Sequence, residues 1–452
     1  MTSLPGSPIA VLRGRFTERH ATRLLWRAGF GPKRGDVRRF AGLGLDGAVT
    51  SLTRPSGPAR LRGKAPRDQH GHPLDPINVW GHDHCWWLDR MVRSDQQLIE
   101  RMTLVWHSWF ATSIEASSAQ LMIRQNNMMR GRALGNFHDL LLEVTRDPAM
   151  LLWLSGTDNT KYSPNENYGR EVMELFTLGA DRGAYTQHDV REQARALTGF
   201  TNDWRNSGPA NFRFDPQLHD TGVKRIFGHR GHFTWRDTCR LCVGHPLHPS
   251  FLVKKLWGYF VAEPPAPRVQ RALERAYVSS GFEVRPVVEA ILRHPSFYEG
   301  PRMVIPPAVY CAGLLRAQGA TVESDAWSWI AMQAGQRLFA PPNVAGWDYT
   351  HWLDTSRWAG RFTAVTYATA PRVLNPDAKS YPTREGPVQA VQSAMSYWGD
   401  PPLSAQTRRS LLAFSHRAQH AITADWERVA YRILRQNALR ALIPTTPDWQ
   451  TC

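Results

Sequence analysis

Two carboxylates three residues apart, Glu171 and Glu174, directly follow Arg170. On a helix that spacing places both on one side, where they can bind one ion or share a proton. Their neighbours Tyr168, Met173, Leu175 and Phe176 are apolar enough to cover the helix on more than one side, so a carboxylate here needs an arginine or a metal beside it. A buried salt-bridge network and a functional site both meet that need. Two other segments carry groups of the same kind. His107 closes an apolar stretch after Trp106, and His219-Asp220-Thr221-Gly222-Val223-Lys224 follows an aromatic loop. His219 could ligate a metal or act as a general base, with Asp220 orienting it and Lys224 meeting an anion or oxyanion. Alternatively, Asp220 holds backbone amides in a turn before Gly222, and His107 is a hydrogen-bonded core residue.

Brought together, His107, Glu171, Glu174 and His219 would suit one divalent metal ion, zinc, iron or manganese, with positions open for water. The expectation is a hydrolytic enzyme built on that metal or on a proton-transfer centre, with Arg170, Asp220 and Lys224 assisting. The rival is a non-enzymatic binding or scaffold protein for a protein or glycan partner. Its binding groups lie in a late loop, where Asn343, Trp347, Trp352, Arg357 and Arg361 combine aromatic plates with polar groups, as a sugar or peptide pocket does. Packing of that loop on the helical body explains them equally well. Cys239 and Cys242 with His245 and His248 have zinc-like spacing, but the thiols sit in an apolar helical pattern and each histidine precedes a proline. No phosphate-binding glycine loop and no nucleophile elbow occurs, which argues against nucleotide-dependent chemistry and a conventional serine hydrolase.

Helices must position these groups. Residues 163–179 read as one capped helix: Ser163 is the N-cap, Pro164 the first helical residue, Glu166 closes a capping box and Gly179 ends it. Val172, Leu175, Phe176 and Gly179 share one side of it, and Asn167, Glu171, Glu174 and Leu178 another. Apolar residues recur at helical spacing over 18–30, 35–43, 83–107, 120–130, 137–145, 187–197, 236–243, 250–261, 268–279 and 284–292. The fold class is therefore mainly α: a large multi-helix domain over 16–370 with a small β-hairpin or aromatic-loop insertion within 198–233. A Pro/Gly/Arg-rich loop spans 52–77 and a Trp-rich loop 340–361. Residues 1–15 form a tail, 371–388 a linker and 389–452 a C-terminal helical region.

At 452 residues, 42% hydrophobic and with 18 Trp, the chain can bury a sizeable core without disulfides, and its five Cys fit a reducing compartment. The formal charge of +16 comes from arginines scattered among acidic residues, so nucleic-acid binding is not the expected main role. No run approaches the length of a membrane span or a secretory signal, and the expected location is the cytoplasm.

Several blocks, in order, resemble the bacterial domain of unknown function 1800 (DUF1800) family. They are Leu24-Leu25-Trp26-Arg27-Ala28-Gly29-Phe30-Gly31, Met102-Thr103-Leu104-Val105-Trp106-His107 with Phe110-Ala111-Thr112, and 165–179 with Tyr185-Thr186-Gln187. Arg195-Ala196-Leu197-Thr198-Gly199, 219–224, Lys255-Leu256-Trp257 and Pro342-Asn343-Val344-Ala345-Gly346-Trp347 complete the set. The resemblance implies a helical fold over roughly residues 21–361 and little about activity. Many members look exported, whereas this chain shows no evident signal.

Overall fold

Helical periodicity accounts for most of the architecture. A computed structural model describes residues 9–205, 208–376, 385–420 and 427–452, so part of the expected tail (1–8) and of the expected linker (377–384) lies outside the described residues. The first helices are α1 (Glu18–Arg27), α2 (Asp36–Thr53), α3 (His82–Arg93) and α4 (Gln97–Trp109). Thr17 and His20 cap α1 reciprocally, which satisfies amides that have no partner within the helix. The helix expected over 35–43 does not end at Gly44. That glycine takes a left-handed φ of 68°, kinks the chain and lets α2 run on to Thr53.

The Pro/Gly/Arg-rich stretch after α2 is irregular, as expected, but it is tied down. Its Arg62 amide donates to Arg93 O at 2.9 Å and its Arg67 amide to Val322 O at 2.9 Å, while Asp95 N donates to Arg60 O at 3.0 Å.

Next come α5 (Ala119–Gly131), α6 (Phe137–Thr145), α7 (Pro148–Trp153), α8 (Asn167–Glu171) and α9 (Gln187–Ala196). Two antiparallel hairpins form the β insertion. Strands β1 (Phe200–Arg205) and β2 (Gly208–Phe214) pair with a bulge between Thr201 and Asp203, and β3 (Lys224–Ile226) pairs with β4 (His229–Gly231). Helices α10 (Trp235–Val243), α11 (His248–Gly258), α12 (Pro267–Ser279), α13 (Val284–Arg293) and α14 (Pro295–Glu299) follow. The chain then forms α15 (Pro307–Gln318), α16 (Trp327–Gln333), α17 (Thr355–Thr369), α18 (Pro387–Tyr397), α19 (Ala405–His420), α20 (Glu427–Thr445) and α21 (Pro447–Gln450). No helix among the described residues is long and apolar enough to cross a membrane.

Apolar side chains gather in two main cores. One draws on α1, α2, α4, α6 and α10 to α13, and the other on α3 and α15 to α21. Helix α4 serves both: Leu98, Met102, Val105 and Trp106 face the first core and Leu104 the second. The last residues join the second core edge-on, with Trp449 against Trp26 and backbone pairing between Cys452 and Met303 at 2.8 and 2.9 Å.

Candidate functional site

The helix expected over 163–179 starts later and is wound differently. Asn159 Oδ1 accepts from the Asn165 amide and Asn165 Oδ1 from the Asn167 amide, each at 2.9 Å. Side-chain acceptors of this kind compete with a helix start. Helix α8 therefore begins at Asn167, with no side-chain cap from Ser163 or Glu166. After Glu171 the winding widens into a π-helical turn over Val172–Thr177, in which the Leu178 amide reaches back to Met173 O at 2.8 Å.

Arg170 turns away from the carboxylate pair and meets Glu166 Oε2 at 2.9 Å and Gln187 Oε1 at 3.0 Å. Glu171 and Glu174 stay half-buried, and neither makes an ion pair among the described residues. Burial, and next the charge of Glu174, push the Glu171 carboxyl above its ordinary value. The Tyr185 hydroxyl donates to Glu174 Oε2 at 3.4 Å.

The carbonyls that the π-turn leaves open are taken by distant side chains. Lys255 Nζ donates to Leu175 O at 2.8 Å, Trp109 Nε1 to Phe176 O at 3.0 Å, and His248 Nδ1 to Thr177 O at 2.9 Å. Lys255 also lies 4.4 Å from the Trp109 ring centroid, and burial pulls its ammonium down to about 7.

The proposed ligands are not brought together. No group of three or more His, Cys, Asp or Glu among the described residues is arranged to hold a metal ion, so His107, Glu171, Glu174 and His219 do not share one shell. His107 is fully buried with Trp87, Phe339 and Trp347 rings at 5.2, 5.7 and 5.6 Å, and neither ring nitrogen has a partner. Desolvation alone lowers it to about 3, so it is neutral. His219 sits elsewhere, its Nδ1 2.9 Å from Thr198 O and its ring against Phe214.

Asp220 and Lys224 have structural partners. Arg195 grips Asp220 with Nε at 2.7 Å and Nη2 at 3.2 Å, and the Gly222 amide donates to Asp220 Oδ1 at 2.8 Å. Lys224 buries its ammonium against the carbonyls of Asp220 and Gly222. The alternative reading of this segment, a turn organised by Asp220, describes what is seen. Cys239 contacts Thr145 Oγ1 at 3.2 Å and Cys242 contacts Gln193, and burial raises both thiols, to about 12 and about 11.

A cavity of about 230 Å³ opens where α4 meets the Trp-rich loop. Gly346, at φ +90°, makes this junction possible, because a Cβ there would lie 2.7 Å from Ser108 O. The loop thereby closes on α4, and Trp347 and Trp352, each 5% exposed, form its aromatic wall with Tyr259 and Tyr349. Arg27 and Arg101 bring charge to the lining, and neither Asp nor Glu lines the space. Arg27 is occupied by the carbonyls of Phe260, Phe297, Pro301 and Cys452. Arg101 is 7% exposed, yet its Nε and Nη1 have no partner, and burial lowers it to about 10.

Asn343 and Arg361 are not on this wall. Asn343 Oδ1 accepts from the Ala345 amide at 2.9 Å in the turn that leads to Gly346. Arg361 is a buried clamp, donating to Trp352 O, Gln450 Oε1 and Ile305 O at 3.1, 2.9 and 2.7 Å. Arg101 escaped the sequence reading because Glu100-Arg101 resembles a surface pair; the signal is that its other neighbours, Leu98, Met102, Leu104 and Val105, are apolar.

No curated protein and no solved structure matches the chain. Residues 23–451 match the family described as Protein of unknown function (DUF1800), an extent that takes in the C-terminal helices as well. The chain belongs to the DUF1800 family.

Proposed function

We propose that this protein binds a small organic ligand in the cavity between α4 and the Trp-rich loop. The observation that supports this is the wall itself: Trp347, Trp352, Tyr259 and Tyr349 around a space of about 230 Å³. A cavity of about 150 Å³ accepts benzene, so this one has room for a ring with a short substituent or for a fused pair of rings. Mostly apolar lining with a few polar groups is the usual composition of a ligand site. The reading narrows the binding alternative and moves its centre from Asn343 and Arg361 to the two tryptophans.

The test uses indole as a neutral probe. Ala262 lines the cavity and is exposed, so Ala262→Trp obstructs the rim without disturbing the core. Indole should bind the wild-type protein in calorimetry and raise its melting temperature, and Ala262→Trp should lose both effects. Indole binding that survives in this variant would place the probe elsewhere and overturn the reading.

An acid–base role for Glu171 and Glu174 is a second reading. It is favoured by one observation, the raised carboxyl of Glu171 next to a second carboxylate without a cation partner. Glu171→Gln and Glu174→Gln variants, compared with wild type in a hydrolase substrate screen, test it. Equal turnover by all three would remove it.

A further inference from the structure

We infer that the ligand of this cavity is a ring-bearing carboxylate whose anionic end meets Arg101. This rests on the binding reading above and names the class of ligand. Arg101 presents Nε and Nη1 without an acceptor while nine-tenths buried. An unpaired cation at such a depth is strongly disfavoured, and partners are the rule.

The adjacent residue shows the ordinary solution. The fully buried Glu100 carboxylate is held by Arg90 at 3.1 Å and Arg130 at 2.8 Å. Arg101 has nothing comparable. The one opposite charge it feels is at Cys452, whose oxygen is already taken by Arg27 at 2.8 Å. A second donor lining the same cavity, Trp352 Nε1, is also buried without an acceptor. The cavity therefore offers unpaired donors, and no Asp or Glu side chain lines it to receive them.

A carboxylate is the anion that fits. Its two oxygens match the planar guanidinium fork, and each such charge-assisted contact is stronger than a neutral one. The remaining lining, Leu104, Val105, Met303, Val304 and the aromatic rings, takes an uncharged body rather than a second charge. Volume limits that body to about one or two rings.

Calorimetric titration of the full chain with phenylacetate, phenylacetamide and acetate tests the inference. Phenylacetate should bind about tenfold or more tightly than the isosteric amide, since a hydrogen bond to a charged group is worth at least that ratio. Acetate should bind weakest, because it lacks the ring. In Arg101→Met the preference for the acid should vanish while the amide still binds. Its melting temperature should not fall, because Nε and Nη1 have no hydrogen bond to lose and the uncharged side chain removes a buried cation.

Each other outcome is decisive. If the amide binds as tightly as the acid, or if Arg101→Met keeps the preference, the carboxylate assignment is wrong and the binding reading stands. If acetate binds as well as phenylacetate, the site takes a bare anion, and the ring-bearing class is overturned. If no probe binds the wild-type protein, the assignment and the binding reading both fail.

Discussion

The indole nitrogen of Trp109 donates to the carbonyl oxygen of Phe176 at 3.0 Å, joining the end of α4 to the π-turn after α8. The two residues are 67 positions apart, and each lies within or beside one of the blocks shared with the family. Lys255 and His248 repeat the arrangement from α11. Several of these blocks are thus halves of one backbone-satisfying network, in which the side chains of one block complete the helix end of another. Arg195 and Asp220 are a further pair of halves, holding the β insertion to α9.

Trp109→Phe keeps a ring in place but leaves the buried Phe176 carbonyl without its donor. The expected loss is about 1–3 kcal/mol of unfolding free energy. Urea denaturation measures it, and a change below about 0.5 kcal/mol would mean that water replaces the indole.

Glu171 should behave as an unpartnered, half-buried acid. Its raised folded value means that its stabilising contribution is complete below its ordinary value of 4.5 and disappears as pH rises through the folded value. Glu171→Gln should accordingly raise the melting temperature at pH 7 and have little effect near pH 4. A drop at pH 7 would reveal a favourable partner for the carboxylate.

His107 titrates in the opposite direction. Because burial lowers it from 6.5 to about 3, the stability it confers is present above pH 6.5 and is lost as pH falls toward 3. His84 and His248 are lowered similarly, to about 3 and about 4. His107→Phe should reduce proton uptake on unfolding near pH 5 by about one proton, read from the pH dependence of stability. An unchanged slope would show that the ring is protonated or solvated in the folded protein.

Asp220→Asn should destabilise through its partner. Burial alone would raise Asp220, but the Arg195 hydrogen bonds and the Gly222 amide outweigh it and hold the carboxyl below its ordinary range. Losing the charge leaves the half-buried Arg195 fork poorly matched, at about 1–3 kcal/mol. Arg195→Gln combined with Asp220→Asn should cost less than the sum of the single changes. Strict additivity would show that the two residues act independently.

The helical elements were legible because their apolar residues repeat at helical spacing, and the aromatic stretch with Phe200 and Phe214 announced the hairpin. The start of α8 was not, because Asn159 and Asn165 supply local acceptors that a capping pattern does not count. The metal set failed for a related reason: residue types are written in the sequence, and distances are not. His107 is surrounded by rings from Trp87, Phe339 and Trp347, two of which lie more than 200 residues downstream. Trp347 and Trp352 were visible as an aromatic cluster, whereas Arg101 became conspicuous only once its missing partner was seen.

The π-turn at Val172–Thr177 has one more consequence. A turn closed from residue i to i+5 holds one residue more than an α-turn, so it behaves as an insertion absorbed without lengthening the helix. Its information is stored in residue count as well as residue type. Deleting a single residue there would let the turn tighten to an α-turn and redirect its own open carbonyls along the helix axis. The carbonyls of Leu175, Phe176 and Thr177 would then swing away from Lys255, Trp109 and His248 together. Between 172 and 177 this chain should accept many conservative replacements and no shortening.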